Sequence, residues 1–485
     1  MEKKELKTKV LSGLAWTFAE RILAQGVSFI VSIIIARLLV PEAYGTVTMV
    51  TVFINIANVF VSNGLGEALV QKKNADETDY STMFYCSLSL ALVIYLILFL
   101  GAPFIASFYD NSLLIPVLRV LALKLPISAI STIQHAYVSK HMIFRKFFFS
   151  TLGGTLVSGV VGIIMAYCGF GVWALVAQYL TNTTIDTMVL FATVPWRPRL
   201  KFSKSSAKSL GKYGFQLMLT GLIQEIYTQL RSLIIGKVYS PADLAFYNKG
   251  NNFPSIIITN VDTSIGKVVF PAMAESKDDK VKLKSVSRRA MKTTSYIVFP
   301  LMAGLFVIAK PLISVLLTDK WMGCVPFLQI ACISFALIPV QTTNWQIIKA
   351  AGRSDICLKL EILKKIIGVF VILITMKISV MAVALSAAFV SFISMLINIF
   401  PNDRLIGYSI KEQFFDLLPA ILASIFMAVV ISPINRIIQS NLLLILTQVI
   451  AGGIIYIAIS VVFKVDSFKY LFDTVKSIFS RGKQK

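Results

Sequence analysis

Apolar and polar residues follow one another along this chain in long blocks, not in the short periods of a soluble helix or strand. Runs of roughly 20 apolar residues, the length that crosses about 30 Å of hydrocarbon, recur fourteen times between short polar segments. They cover residues 11–36, 43–63, 80–100, 113–138, 147–168, 172–194, 213–236, 242–266, 293–308, 325–348, 356–376, 380–400, 414–434 and 442–463. Fourteen such runs in series leave no polar shell able to bury them as ordinary core helices. The pattern therefore predicts an all-α polytopic membrane protein. The first run is too long for the core of a signal peptide and offers no small-x-small cleavage site before Arg37. After Lys464 the period changes: Phe468, Leu471, Phe472, Val475, Ile478 and Phe479 recur at helical spacing with Lys469 and Lys476 opposite. That segment reads as an amphipathic helix lying on the inner leaflet, with partner binding as the competing reading.

Composition agrees. Of 485 residues 56% are apolar and only 15% charged, with a mean hydropathy of +0.77, against about 25% charged in a soluble domain. The chain is nonetheless basic, with a net charge of +23. If the runs cross in turn, 36 of the 47 basic residues fall on one side, six on the other and five within the membrane. The positive-inside rule makes the lysine-rich side cytoplasmic, and both termini lie there. The excess is thus an orientation signal facing anionic inner-leaflet lipid. It is neither a nucleic-acid patch nor evidence for an anionic substrate. Five scattered cysteines exclude a secreted disulfide scaffold, and nothing indicates that Cys168 and Cys324, near the outer face, pair.

A weak internal repeat is present. Ile34-Ile35-Ala36-Arg37-Leu38-Leu39-Val40-Pro41 lies over Ile234-Ile235-Gly236-Lys237-Val238-Tyr239-Ser240-Pro241, and Gly66 over Gly266. Past a loop of different length, Pro116-Val117-Leu118 lies over Pro326-Phe327-Leu328. An even number of runs separates the copies, so both halves enter the membrane in the same orientation, as in transporters whose halves rock against each other. The expected organisation is a first lobe over 1–196, a basic linker over 197–212 and a second lobe over 213–402. Two appended helices follow over 403–464, and the amphipathic tail over 465–485.

Ionisable groups at membrane depth are costly and point to function. The basic ones are Arg21, Arg119, Lys124, Arg231 and Lys249; the acidic ones are Glu20, Asp186, Glu225 and Asp262. At about 1.5 Å per residue Arg21 lies near the midplane, with Lys124 and Glu225 at similar depth. In the seventh run Gln224, Tyr227, Thr228 and Arg231 share one helix face. The eighth carries Asn248, Lys249, Asn251, Asn252 and Asn260. A phosphate-bearing substrate would use Arg for its bidentate fork and Lys as a point charge. The competing readings are an Arg21 strut to Glu225 or Asp186, and outward snorkelling of Arg119, Arg231 and Lys249. His135 and His141 read as solvated. No zinc-protease, Walker, CxxC or dinucleotide motif occurs, and the outward loops are short, which argues for a transporter over an enzyme such as a polysaccharide polymerase.

Several motifs resemble a known family. Gly13-Leu14-Ala15-Trp16, Ala36-Arg37-Leu38-Leu39-x-Pro41-x-x-Tyr44-Gly45, Gln71-Lys72, Asp79-Tyr80-Ser81-Thr82, Tyr247-Asn248-Lys249, Phe270-Pro271-Ala272, Lys320-Trp321 and Ala351-Gly352-Arg353 are similar to those of lipid-linked polysaccharide exporters. These include the colanic acid, O-antigen and teichuronic acid exporters of the MOP superfamily. The resemblance implies two pseudosymmetric six-helix lobes in the bacterial cytoplasmic membrane. It also implies alternating-access flipping of undecaprenyl-diphosphate-linked oligosaccharide for surface polysaccharide, beside polymerase machinery. On this reading Arg21, Arg119, Lys124, Gln224, Arg231 and Lys249 form the diphosphate and glycan site. Glu20, Asp186, Glu225 and Asp262 are candidates for ion coupling, by proton, sodium or membrane potential, and no other cofactor is expected. A multidrug–cation antiporter and a peptidoglycan-precursor flippase of the same superfamily are the alternatives. The five basic intramembrane residues disfavour the first.

Overall fold

The computed structural model describes residues 16, 22–62 and 64–482. The expectations placed on Arg21 and Glu20, and on Gly13 to Ala15, lie outside the described residues. The molecule is 88% helix, and no strand occurs among the described residues. In chain order the helices of the first half are α1 (Ile22–Leu38), α2 (Pro41–Ser62), α3 (Leu65–Gln71), α4 (Glu77–Tyr109), α5 (Leu114–Leu121), α6 (Lys124–His141), α7 (Arg145–Tyr167), α8 (Val172–Thr193) and α9 (Lys204–Val238). There follow α10 (Pro241–Glu275), α11 (Lys280–Leu317), a 3-10 turn (Asp319–Cys324), α12 (Val325–Ala336), α13 (Ile338–Ala350), α14 (Ser354–Thr375), α15 (Val380–Ile406), α16 (Ile410–Ile431), α17 (Asn441–Val462) and α18 (Asp466–Gly482).

Among the described residues nine helical stretches are long and apolar enough to cross a membrane: α2–α3, α4, α5–α6, α7, α11, α12–α13, α15, α16 and α17. The helices that fall outside this set carry most of the polar sequence. Asp186 lies on α8, Glu225 and Arg231 on α9, and Lys249 and Asp262 on α10, while α14 holds Lys359, Glu361, Lys364 and Lys365. Among the nine, the stretch α5–α6 also carries intramembrane charge, with Arg119 on α5 and Lys124 at the start of α6.

Two apolar runs that read as single spans are each two helices. The first breaks at Ala122–Leu123 between α5 and α6, the second at Leu337 between α12 and α13. Proline accounts for both breaks. Pro126 has no N–H to give Ala122, four residues back, and Pro339 has none for Phe335, so the ladder is interrupted just ahead of each ring.

The chain divides into two compact units, residues 1–245 and 246–485. In the first, α9 packs on α2, α3 and α4. The approach is backbone to backbone at Gly64, where an added Cβ would collide with the Gly214 carbonyl of α9, and Gly45 of α2 meets the Pro241 carbonyl at the start of α10 in the same way. The core of this unit gathers Leu69, Tyr80, Met83, Phe84, Ile133 and Trp196.

The Asp79-Tyr80-Ser81-Thr82 motif is wholly buried and acts as an anchor. Asp79 completes a capping box with Asp76 at the start of α4 and pairs with Lys72 at 2.6 Å. Tyr80 packs between Tyr137 and Trp196. Ser81 Oγ accepts from the Arg199 N–H at 3.1 Å and Thr82 Oγ1 from that of Ser203 at 3.0 Å. The basic segment expected as a linker over 197–212 is therefore a short strap on α4. It ends at Ser203, whose hydroxyl caps α9, so Lys204, Lys208 and Lys212 are already helical.

In the second unit Tyr408, Met291, Phe299, Val340 and Ile347 form one core cluster. Tyr296 and Tyr456 form another with Met427, and Phe468 and Leu471 of α18 pack against it. The tail helix thus docks onto its own unit by these residues, while Phe472 stays exposed; Val475, Ile478 and Phe479 have no described side chains. All five cysteines are free thiols.

Candidate functional site

The first unit holds Arg119, Lys124, Asp186, Gln224, Glu225 and Arg231; the second holds Lys249 and Asp262. Within the first, none of Arg119, Lys124 and Arg231 forms a described ion pair with Asp186 or Glu225. Each charge has its own local setting.

Arg119 neither snorkels nor faces a cavity. Its Nε donates to the carbonyl of Phe99 at 3.2 Å, and its guanidinium lies 4.4 Å from that ring's centroid. Phe99 is four residues before Pro103, inside α4, so its carbonyl lacks the usual helical donor. Arg119 supplies that donor from α5.

Lys124, the first residue after the break in the α5–α6 span, lines a cavity of about 160 Å³ with Thr51, Asn55 and Tyr179. No hydrogen bond or ion pair to Lys124 is described. An ammonium beside hydroxyls and an amide in a small polar cavity suits an anionic oxygen.

Arg231 ends the polar stripe of α9. Gln224 and Thr228 of that stripe are exposed, and Thr228 bonds back to the Gln224 carbonyl at 2.9 Å. The Arg231 Nε and Nη2 atoms are enclosed with no hydrogen-bond partner among the described residues. An unmet buried donor costs about 1–3 kcal/mol, more when charged, so this guanidinium is set for an anion that the described residues do not provide.

The Arg21 strut lies outside the described residues, and each acid has a described contact of its own. Asp186 Oδ2 lies 3.4 Å from His135 Nε2, and His135 stacks on Phe147. His135 is therefore half-buried against a carboxylate, not simply solvated. His141 stacks on Tyr137 and bonds its carbonyl at 2.9 Å. Glu225 accepts from Gln229 at 2.7 Å on its own helix, and Asp262 accepts from Thr342. Lys249 is buried, with its ammonium 5.8 Å from the Trp321 ring. Around it Gly250 meets Phe327 and Cys324, and Gly323 meets Phe246, at distances only glycine allows. The Tyr247-Asn248-Lys249 and Lys320-Trp321 motifs are thus the two sides of one packed knot.

Sequence reading missed Tyr179, Thr51 and Asn55, which are ordinary residues on apolar helices. It also missed Gln134, whose amide is fully buried with neither atom bonded.

The arrangement of helices defines a class. It is similar to the lipid II flippase MurJ in an inward closed conformation, with a TM-score of 0.76 over 94% of this chain and 99% of that one, at 16% identity. It is also similar to an inward-facing multidrug resistance MATE transporter of the MOP superfamily, with a TM-score of 0.63 over 80% and 94% at 15% identity. At these identities the likeness is one of fold: the chain is a multi-pass membrane protein built as MOP-superfamily transporters are. Residues 34–326 match the family described as "Polysaccharide biosynthesis protein", and the chain belongs to that family. Its relatives include the lipopolysaccharide biosynthesis protein WzxC of Escherichia coli K12, 24% identical over 74% of this chain and 73% of the relative. The succinoglycan biosynthesis transport protein ExoT of Rhizobium meliloti is 24% identical over 72% and 70%.

Proposed function

We propose that the protein is a flippase for polyprenyl-diphosphate-linked oligosaccharide, carrying repeat units for surface polysaccharide from the inner to the outer leaflet of a bacterial cytoplasmic membrane. All fourteen apolar runs cross, both termini face the cytoplasm, and the two six-helix halves alternate access. The observation that carries the reading is Arg231, half-buried with its Nε and Nη2 enclosed and unmet among the described residues, in a family of polysaccharide biosynthesis proteins. Its fork suits a diphosphate, which offers paired anionic oxygens. Lys124, with its cavity, adds a point charge, and Arg21 is a third candidate on its place in the sequence alone. Gln224 and Thr228 meet the glycan. Asp186 with His135 is the proposed coupling pair. Arg119 and Lys249 hold the frame.

The test is transport of lipid-linked oligosaccharide in inside-out vesicles. At equal expression, replacing Arg21 and Arg231 together by Ala lowers flipping at least tenfold, since a charge-assisted contact contributes about 1.5–3 kcal/mol. Arg231→Lys retains part of the activity. Wild-type flipping in the double variant would overturn the assignment.

A further inference from the structure

At the lysine-rich end of the second unit two cavities join. One, of about 500 Å³, lies between α11 and α18 and is lined by Lys284, Arg288, Arg289 and Lys292. The other, of about 1020 Å³, runs along α16 beside the end of α17 and is walled by exposed Phe415, Leu422, Ile425, Phe426 and Val429. Lys292, Asp466 and Ser467 border both. A cationic pocket opening directly into a long apolar groove has the polarity of a lipid, with its head in the first and its chains in the second.

The charges narrow the choice. Arg288 holds Asp416 by two bonds of 2.7 Å, and Tyr408 donates to the same carboxylate. Lys292 reaches Asp416 at 3.2 Å and Asp466 at 3.6 Å, and Lys284 pairs with Glu412 at 2.8 Å. Arg289 is different. It is exposed, its guanidinium lies 5.1 Å from the Tyr470 ring centroid, and no carboxylate is described beside it. With Lys464, which borders the groove, five cations thus meet three carboxylates, so the site keeps a net positive charge for a phosphodiester. The geometry points to a binding site for a single anionic phospholipid, its phosphate at Arg289 and Lys292 and its acyl chains along α16. A zwitterionic lipid brings its own cation and does not meet this charge.

The inference rests on the proposed orientation only for the leaflet that supplies the lipid. Its test is separate from transport. Full-length protein in detergent is titrated with dioleoyl phosphatidylglycerol, with dioleoyl phosphatidylcholine and with inorganic phosphate, and the thermal unfolding midpoint is followed. The expected result is a saturable rise with phosphatidylglycerol, and at least about fivefold weaker binding of phosphatidylcholine, since one basic residue near a membrane surface contributes about 1 kcal/mol toward anionic lipid. Arg289→Glu, at an exposed position, weakens phosphatidylglycerol to the phosphatidylcholine level. Leu422→Trp, which narrows the groove, weakens both lipids. Equal stabilisation by the two lipids, or an unchanged titration in Arg289→Glu, overturns the proposal. So does saturation by inorganic phosphate alone, which would make the pocket a plain anion site. Displacement of phosphatidylglycerol by equimolar polyprenyl diphosphate would hand the site to the transported lipid and overturn it equally.

Discussion

The two broken spans, α5–α6 in the first unit and α12–α13 in the second, use the same backbone device to opposite ends. Each stops and restarts two or three residues ahead of a proline, and the carbonyl that loses its helical donor is met at the break, Ala122 by the Leu125 N–H and Phe335 by that of Leu337. In the second unit the surroundings are closed. Asn344 of α13 donates to Gln413 of α16 at 2.9 Å and accepts from Asn402 of α15 at 2.7 Å, all three fully buried. Gln413 in turn donates to the Tyr408 carbonyl at 3.2 Å. In the first unit the surroundings are left open, with Lys124 at a cavity mouth and Gln134 buried without a bond. A linked amide network, in which only the outermost acceptors such as Asn402 Oδ1 stay unmet, fixes one arrangement of helices, whereas an isolated charge and amide in the first unit are free to take a ligand. One break is structure, the other is chemistry.

That contrast can be broken from either side. The largest effect is expected for Asn344→Leu, which strands the amides of Asn402 and Gln413. Stability should fall by about 3 kcal/mol, read by denaturant titration in detergent, with flipping per folded molecule preserved. Lys124→Met should invert this outcome. Transport should drop at least tenfold while the melting midpoint holds or rises, because a buried charge without a partner is replaced by an apolar chain of similar length. Arg119→Met should cost about 1 kcal/mol of stability through loss of the Phe99 carbonyl contact, with no transport defect. Adding Pro103→Ala should remove most of that cost, since Phe99 regains a helical donor; a full penalty in the double variant would refute the role given to Arg119. The smallest effect is expected for Tyr179→Phe, a severalfold loss of transport at unchanged stability.

The helical plan was legible because blocks of about 20 apolar residues and alternating lysine-rich loops are properties of the chain alone. The breaks at Leu123 and Leu337 were not, since each lies inside an unbroken apolar run and is marked only by a following proline. Charged residues on apolar helices were easy to find, but sequence depth did not say what each one touches. Arg119 and Arg231 look alike in sequence. One completes a kinked helix and the other keeps two donors unmet among the described residues, and only the fold separates them. The spacing that makes Lys249 a candidate binding charge does not show that its ammonium lies 5.8 Å from the ring of Trp321, more than seventy residues later. The Asp79-Tyr80-Ser81-Thr82 motif was readable as a family mark, yet its work in holding residues 195–203 depends on contacts far apart in the chain.

On the proposed function Lys124 and Arg231, whose ammonium and two guanidinium donors are unmet among the described residues, hold the diphosphate. The most direct measurement is equilibrium binding of a polyprenyl diphosphate to the purified full chain, comparing wild type with the double variant K124Q/R231Q. The account predicts at least about a hundredfold loss of affinity, from two charge-assisted contacts of about 1.5 kcal/mol or more each, and a loss smaller than tenfold for polyprenyl alcohol. Unchanged affinity for the diphosphate, in a variant with wild-type melting, would contradict it.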